Sequence, residues 1–146
     1  MEFREFTSEQ EWFIIKVPSN WEEFPDGKGT YAFYDEDNWT GNFRITPLKW
    51  DNLKGIDKSP EYLTQEYEEN ISKNPKRLKL GAHDCVFYKE YLQEEENEVL
   101  MYNWTLGSNN TLFLISFSTD KANEGTEENE KEMEKIEYMI GSLQIH

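Results

Sequence analysis

The triplet His83-Asp84-Cys85 is where this 146-residue sequence brings together the residue types of a thiol nucleophile and its base. A cysteine nucleophile needs a base within hydrogen-bond reach, and the base needs a group to orient it. On a strand, His83 and Cys85 project from one face about 6–7 Å apart, because a strand rises roughly 3.3 Å per residue and alternates its side chains. Asp84 then points to the opposite face, where it cannot orient the imidazole. Cys85 also opens an apolar run, a setting in which free cysteine behaves as a small buried hydrophobe. No catalytic residue is assigned.

Metal chemistry finds no better footing. The two histidines, His83 and His146, and the single cysteine have no zinc-ligand spacing. Asp35-Glu36-Asp37-Asn38-Trp39-Thr40-Gly41 resembles a calcium loop only in part, since Trp39 stands at a ligand position and the glycine is displaced. It reads as an acidic hairpin tip. Glycine-rich phosphate loops are absent, so neither a metal nor a cofactor is expected.

Aromatic residues carry the stronger signal. Trp12, Tyr31, Phe33, Phe43, Phe87, Trp104, Phe113 and Phe117 fit alternating strand positions and read as core. Trp21, Trp39 and Trp50 fall in or beside predicted turns, and Tyr34 adjoins the acidic tip. Tryptophan and tyrosine are enriched at binding hot spots, so these four are the candidate binding residues. The competing reading makes them satellite packing at the sheet ends.

The elements that must position these residues follow from hydrophobic period. Aromatic and β-branched runs predict strands at 12–17, 30–34, 42–46, 79–91, 99–106 and 111–118. Pro18 stops the first, and 19–21 and 24–27 read as turns. Residues 112–117 are apolar on both faces, as in a central covered strand. Ser59-Pro60-Glu61 starts a helix over about 59–73, with Ser59 as N-cap and Leu63, Tyr67 and Ile71 as its apolar stripe. A second helix over about 126–142 begins at Thr126 and buries Met133, Ile136, Ile140 and Leu143. Short links imply an antiparallel sheet with helices on it, an α+β fold in a single domain, 1–146.

Thirty acidic against fifteen basic residues give a net charge of −15. Nucleic-acid binding needs clustered Lys and Arg against phosphates, so that class is excluded, and binding to an anionic membrane surface is disfavoured. The charge serves solubility or steers a basic protein partner. No apolar run reaches the roughly 18 residues of a membrane span. No signal peptide is visible either, so the expected compartment is the cytoplasm.

The phrase Phe13-Ile14-Ile15-Lys16-Val17-Pro18-Ser19-Asn20-Trp21 resembles the opening of PsbP-like domains, where a first strand ends in a Val-Pro-x-x-Trp turn. The order of elements is similar over nearly the whole chain. This superfamily includes an extrinsic photosystem protein, a Ran-binding nuclear import factor of yeast and bacterial families of unknown function. The resemblance implies a three-layer α/β/α sandwich around an antiparallel sheet, in a bacterial family of unknown function. It also implies a non-catalytic accessory domain that binds a protein or peptide. The net charge of −15 with the turn tryptophans gives that reading its specific form, an immunity- or chaperone-like protein that masks its partner. The alternative is a small-molecule or lipid carrier with an apolar cavity between sheet and helices.

Overall fold

Alternation along the strands decides the architecture. In β5 (Gly41–Lys49), Phe43 and Ile45 are fully buried while Arg44 and Thr46 remain partly open. The partner strand β9 (Thr111–Asp120) places Phe117, Ile115 and Phe113 directly opposite Phe43, Ile45 and Pro47. β8 (Asn97–Ser108) continues the same face with Leu100, Tyr102, Trp104 and Leu106. One side of the sheet is therefore a wall of rings and branched aliphatics.

The computed structural model describes residues 2–50, 55–108 and 110–146. Around β5, β8 and β9 it completes a seven-stranded antiparallel sheet in the order β3-β4-β5-β9-β8-β7-β6. The added strands are β3 (Trp21–Pro25), β4 (Tyr31–Asp35), β6 (Lys76–Leu80) and β7 (His83–Glu94). A second antiparallel sheet, in the order β1-β2-β10, unites β1 (Phe3–Thr7), β2 (Phe13–Pro18) and β10 (Gln144–Ile145). The helices are α1 (Ser59–Glu69) and α2 (Glu127–Gly141).

Phe13, Ile15 and Val17 of β2 and Ile136, Met139 and Ile140 of α2 close over the ring wall in one continuous core. Helix α1 lies against β8 and β7, where its Leu63 is buried. The result is the expected α+β sandwich of three layers, with the small sheet sharing the α2 layer. That small sheet was not foreseen. β1 buries Phe3 and Phe6 only in part, three residues apart, so no period of two announces it. It exists because β2 offers it a ladder.

Other differences have equally local causes. Residues 21–25 form an edge strand rather than part of a turn, and Pro25 is tolerated because an edge strand has one unpaired side. The span read as 79–91 is two strands, folded back at Gly81 in the left-handed region. A Cβ at Gly81 would lie 2.5 Å from the Gly141 carbonyl oxygen, so glycine also allows this turn to abut the end of α2. Ser59 is not the N-cap of α1: Lys58 holds that position, and Asp57 Oδ1 accepts from the Ser59 amide at 2.9 Å. Ile71 is 62 % exposed because α1 tightens into a 3₁₀ turn at Ile71–Lys73. α2 begins as expected, with Thr126 Oγ1 accepting from the Asn129 amide.

Phe13 bridges the sheets, with its ring 5.6 Å from Tyr31 and 5.5 Å from Phe113, both edge-on. Phe13→Ala is expected to lower the unfolding free energy by about 3–5 kcal/mol. Urea titration measures this, and a loss under about 1 kcal/mol would show that the small sheet is only loosely attached.

Candidate functional site

The fold does not pair the His83 imidazole with the Cys85 thiol. Cys85 is fully buried on the ring wall, and burial pushes its thiol up to about 12. His83 Nε2 lies 2.7 Å from the Leu143 carbonyl oxygen, which ties the start of β7 to the chain after α2. Cys85 Sγ sits 3.6 Å from the carbonyl oxygen of His83 rather than beside its ring. The acidic tip serves its own backbone. Asp35 Oδ1 accepts from the amides of Asp37 and Asn38 and from Asn20 Nδ2. Among the described residues no three His, Cys, Asp or Glu side chains are placed to hold a metal ion, and no helix is long and apolar enough to cross a membrane.

The four candidate aromatics do not line one groove. Trp21 is 2 % exposed, with its ring 6.4 Å from Phe43, so it belongs to the ring wall. Tyr34 and Trp39 meet edge-on at 5.8 Å, and Phe24 flanks Tyr34 at the same distance. Trp50 instead contacts Tyr62 of α1 at 5.1 Å. β5, nine residues or about 30 Å long, separates Trp39 from Trp50. The strand joins them in another way, because both adjoin the face opposite the ring wall.

That outer face is only partly covered. α1 lies over β7 and β8, while Leu48 of β5 and Leu114 of β9 stay exposed. Cross-strand rows run Asn42–Ser118–Met101–Glu90, Arg44–Ser116–Asn103–Tyr88 and Thr46–Leu114–Thr105–Val86. Arg44 is the hub of the open part. Its Nε donates to Asp26 Oδ2 at 2.6 Å, an Nη donates to Ser118 Oγ at 3.1 Å, and the guanidinium stands over Phe24. On either side of it are hollows of about 510 Å³, bordered by Trp39, Gly41 and Met101, and about 330 Å³, bordered by Glu66, Tyr88 and Leu114. Tyr88 is pushed up to about 12, first by burial and then by the Glu66 and Glu90 carboxylates. Leu114 and Leu48 are exposed at one end, and Trp39 is 68 % exposed at the other. Sequence reasoning missed Arg44 and Leu114 because a lone Arg or Leu in a strand has no signature until the face it occupies is known to be open.

The chain belongs to the DUF3805 family. That model, a domain of unknown function, matches residues 1–146. A crystal structure from Bacteroides thetaiotaomicron is similar over the whole chain, with 33 % identity and a TM-score of 0.83. The match covers 49 % of that protein, so this chain spans about half its length. The cyanobacterial PsbP of Synechocystis shares the fold at 10 % identity and a TM-score of 0.59, over 99 % of this chain and 92 % of its own. The Ran-binding protein Mog1p of Saccharomyces cerevisiae does so at 12 % identity and 0.61, over 99 % and 96 %. No curated protein sequence matches. The DUF3805 chain thus has the PsbP-like fold that its Val-Pro-Ser-Asn-Trp turn suggested.

One cluster of this DUF3805 domain could not be read from sequence. Asn129 and Glu132 on α2 are 3 % and 7 % exposed. Asn129 Oδ1 accepts from the Tyr102 hydroxyl at 2.9 Å, and Glu132 Oε2 accepts from Thr40 Oγ1. Glu132 Oε1 and Asn129 Nδ2 are buried without partners. Burial, then the charge of Glu128, raises the Glu132 carboxyl from the usual 4.5 to about 7.

Two outcomes follow. Cys85 in the native protein is expected to resist a thiol reagent that labels it fully in denaturant, and rapid native labelling would mean that the ring wall opens. A raised native pKa also means that the folded state prefers protonated Glu132. Its stability contribution is then whole below about 4.5 and is lost as pH rises to about 7. Glu132→Gln is therefore expected to stabilise the fold by about 1–3 kcal/mol near pH 8 and by little near pH 4. Urea titrations at both pH values test this, and an equal effect at both would refute it.

Proposed function

We propose that this DUF3805 domain is a non-catalytic binding module that engages a protein partner through the open outer face of its seven-stranded sheet. What supports this most is the face itself. Strands β5 and β9 present a surface that no element of the described chain covers, edged by the exposed Trp39 at one end and by Leu48 and Leu114 at the other. An exposed Trp on the same face as an Arg matches the residue types enriched at binding hot spots. Cys85, by contrast, packs in the core, and His83 holds the Leu143 carbonyl. Of the like-folded proteins, Mog1p is a Ran-binding protein, so the fold is compatible with such work, though the fold alone does not assign it.

Charge favours a basic partner. Asp26, Glu66, Glu94 and Asp120 border the two hollows beside Arg44, whose guanidinium is already engaged by Asp26. Added to a net charge of −15, these acids would speed encounter with a basic surface and repel an acidic one. The cytoplasm is the compartment in which such a partner is sought. An immunity or chaperone role is the specific form this reading takes, in which the domain masks its partner's surface.

Leu114→Arg and Trp39→Ala alter exposed side chains and are expected to leave stability within about 0.5 kcal/mol. Quantitative affinity capture from the native host, with wild type and both variants as bait, tests the face. The expected result is a partner enriched by the wild type, lost by about tenfold or more in each variant, retained in a Glu61→Gln control on α1, and weakened by salt. The same partner captured equally by all four baits would overturn the assignment.

A further inference from the structure

Two side chains of α2, one helical turn apart, reach the segment between β4 and β5. Glu128 Oε1 accepts from Asn38 Nδ2, and Glu132 Oε2 accepts from Thr40 Oγ1. Trp39 lies between these anchors with its ring outward, and its Nε1 donates to Asn42 Oδ1 at 3.0 Å. The anchors at residues 38 and 40 thus act on the exposed indole together with its own contacts to Asn42 and Tyr34.

The two anchors differ in kind. The bond from Asn38 to Glu128 lies at the exposed surface, where water can replace either partner. Glu132 is 7 % exposed, and its second oxygen is buried without a well-formed hydrogen bond, the nearby Asn129 side chain offsetting its burial only in part. One hydroxyl serves a group that, when ionised, needs donors on both oxygens, and a desolvated, half-satisfied carboxylate is strongly unfavourable. The charged groups facing it are Glu128 and Lys135 on α2 and Asp35 at the end of β4. From β8 comes the Tyr102 phenol, linked through Asn129. Two carboxylates against one ammonium add to the penalty of burial.

We propose that Glu132 is a latch for the Trp39 segment: uncharged, it holds Thr40 against α2, and ionised, it draws in water and lets residues 38–40 leave the helix. Asn20 binds both Asp35 and Asp37, and Thr119 Oγ1 of β9 donates to the Thr40 carbonyl at 2.7 Å. Both ends of the segment therefore stay in place, and only Asn38, Trp39 and the Thr40 side chain are released. Burial of Glu132 and its acidic neighbours put the change near neutrality, where small shifts of pH redistribute the two states. If the outer face binds as proposed above, the latch decides how its aromatic edge is presented. The latch itself is a property of the free chain.

Incorporating 5-fluorotryptophan gives one ¹⁹F resonance for each of the five tryptophans, and Trp39→Phe identifies the signal of interest. Titrated from about pH 5 to about pH 9, the Trp39 resonance is expected to shift with a midpoint near 7. In Glu132→Gln it should stay at its low-pH position throughout, and in Thr40→Val at its high-pH position. The buried Trp21 and Trp104 resonances report that each variant is folded. A Trp39 signal that does not move in the wild type, or that titrates equally in Glu132→Gln, overturns the latch. Should Glu132→Gln fail to fold, Thr40→Val decides, since an undiminished titration there overturns it too. No partner enters this experiment, so its failure leaves the binding face standing, and failure of the capture experiment leaves the latch standing.

Discussion

A β-strand cannot bury one side without committing the other. In β5, burying Phe43 and Ile45 obliges Arg44 and Thr46 to face the opposite way. The same obligation runs through β9 and β8, so the ring wall that holds the protein together creates a second surface of Arg, Ser, Thr, Asn and Leu. The wall is covered by α2 and the small sheet, which bring Phe13, Ile15, Ile136 and Met139 onto it. The second surface receives only α1, an 11-residue helix too short to reach across seven strands spaced about 4.8 Å apart. The open face is therefore a consequence of core formation.

The acidic composition takes on a more specific meaning in this frame. Most of the 30 carboxylates lie at the surface, where water solvates them. Glu132 is different, since α2 turns it inward against Thr40 and Asn129, where it is 7 % exposed. A helix residue three positions from Asn129 and four from Ile136 falls at the border of the buried stripe, and there a carboxylate is too deep to be fully hydrated and too near the rim to be excluded. The environment of this one acid, rather than the total charge, is what makes the region around Trp39 sensitive to protonation.

Turn chemistry explains how the site is held in place. Asp35 gathers two amides of its own loop and the Asn20 side chain, and Asp57 gathers Ser59 and the Asn110 amide. Each is a short polar side chain that organises backbone locally. Between them they set the two ends of β5, at which Trp39 and Trp50 stand. Resemblance to calcium-loop spacing at 35–41 is a by-product of this role, because the same residue types that ligate cations also accept from backbone amides.

The alternation of Phe43, Ile45, Phe113 and Phe117, the spacing of Ile136 and Ile140, and the Thr126 cap are local signals, and from these the α+β class, the two helices and the central strands were legible. The Val-Pro-Ser-Asn-Trp turn added the fold family. Local signals fail where an element is made by its neighbours: β1 and β10 are strands only because β2 pairs with them, and β3 overrides its own turn-like residues by docking on β4. The same division holds for function. Sequence alone determined that the chain is acidic, rich in aromatics and without a catalytic pattern. Tertiary structure decided that Trp21 is core while Trp39 is exposed, that Arg44 centres an open face, and that Glu132 is buried. Burial is a property of what lies opposite a side chain across the fold, and distant segments supply that only once the chain has closed on itself.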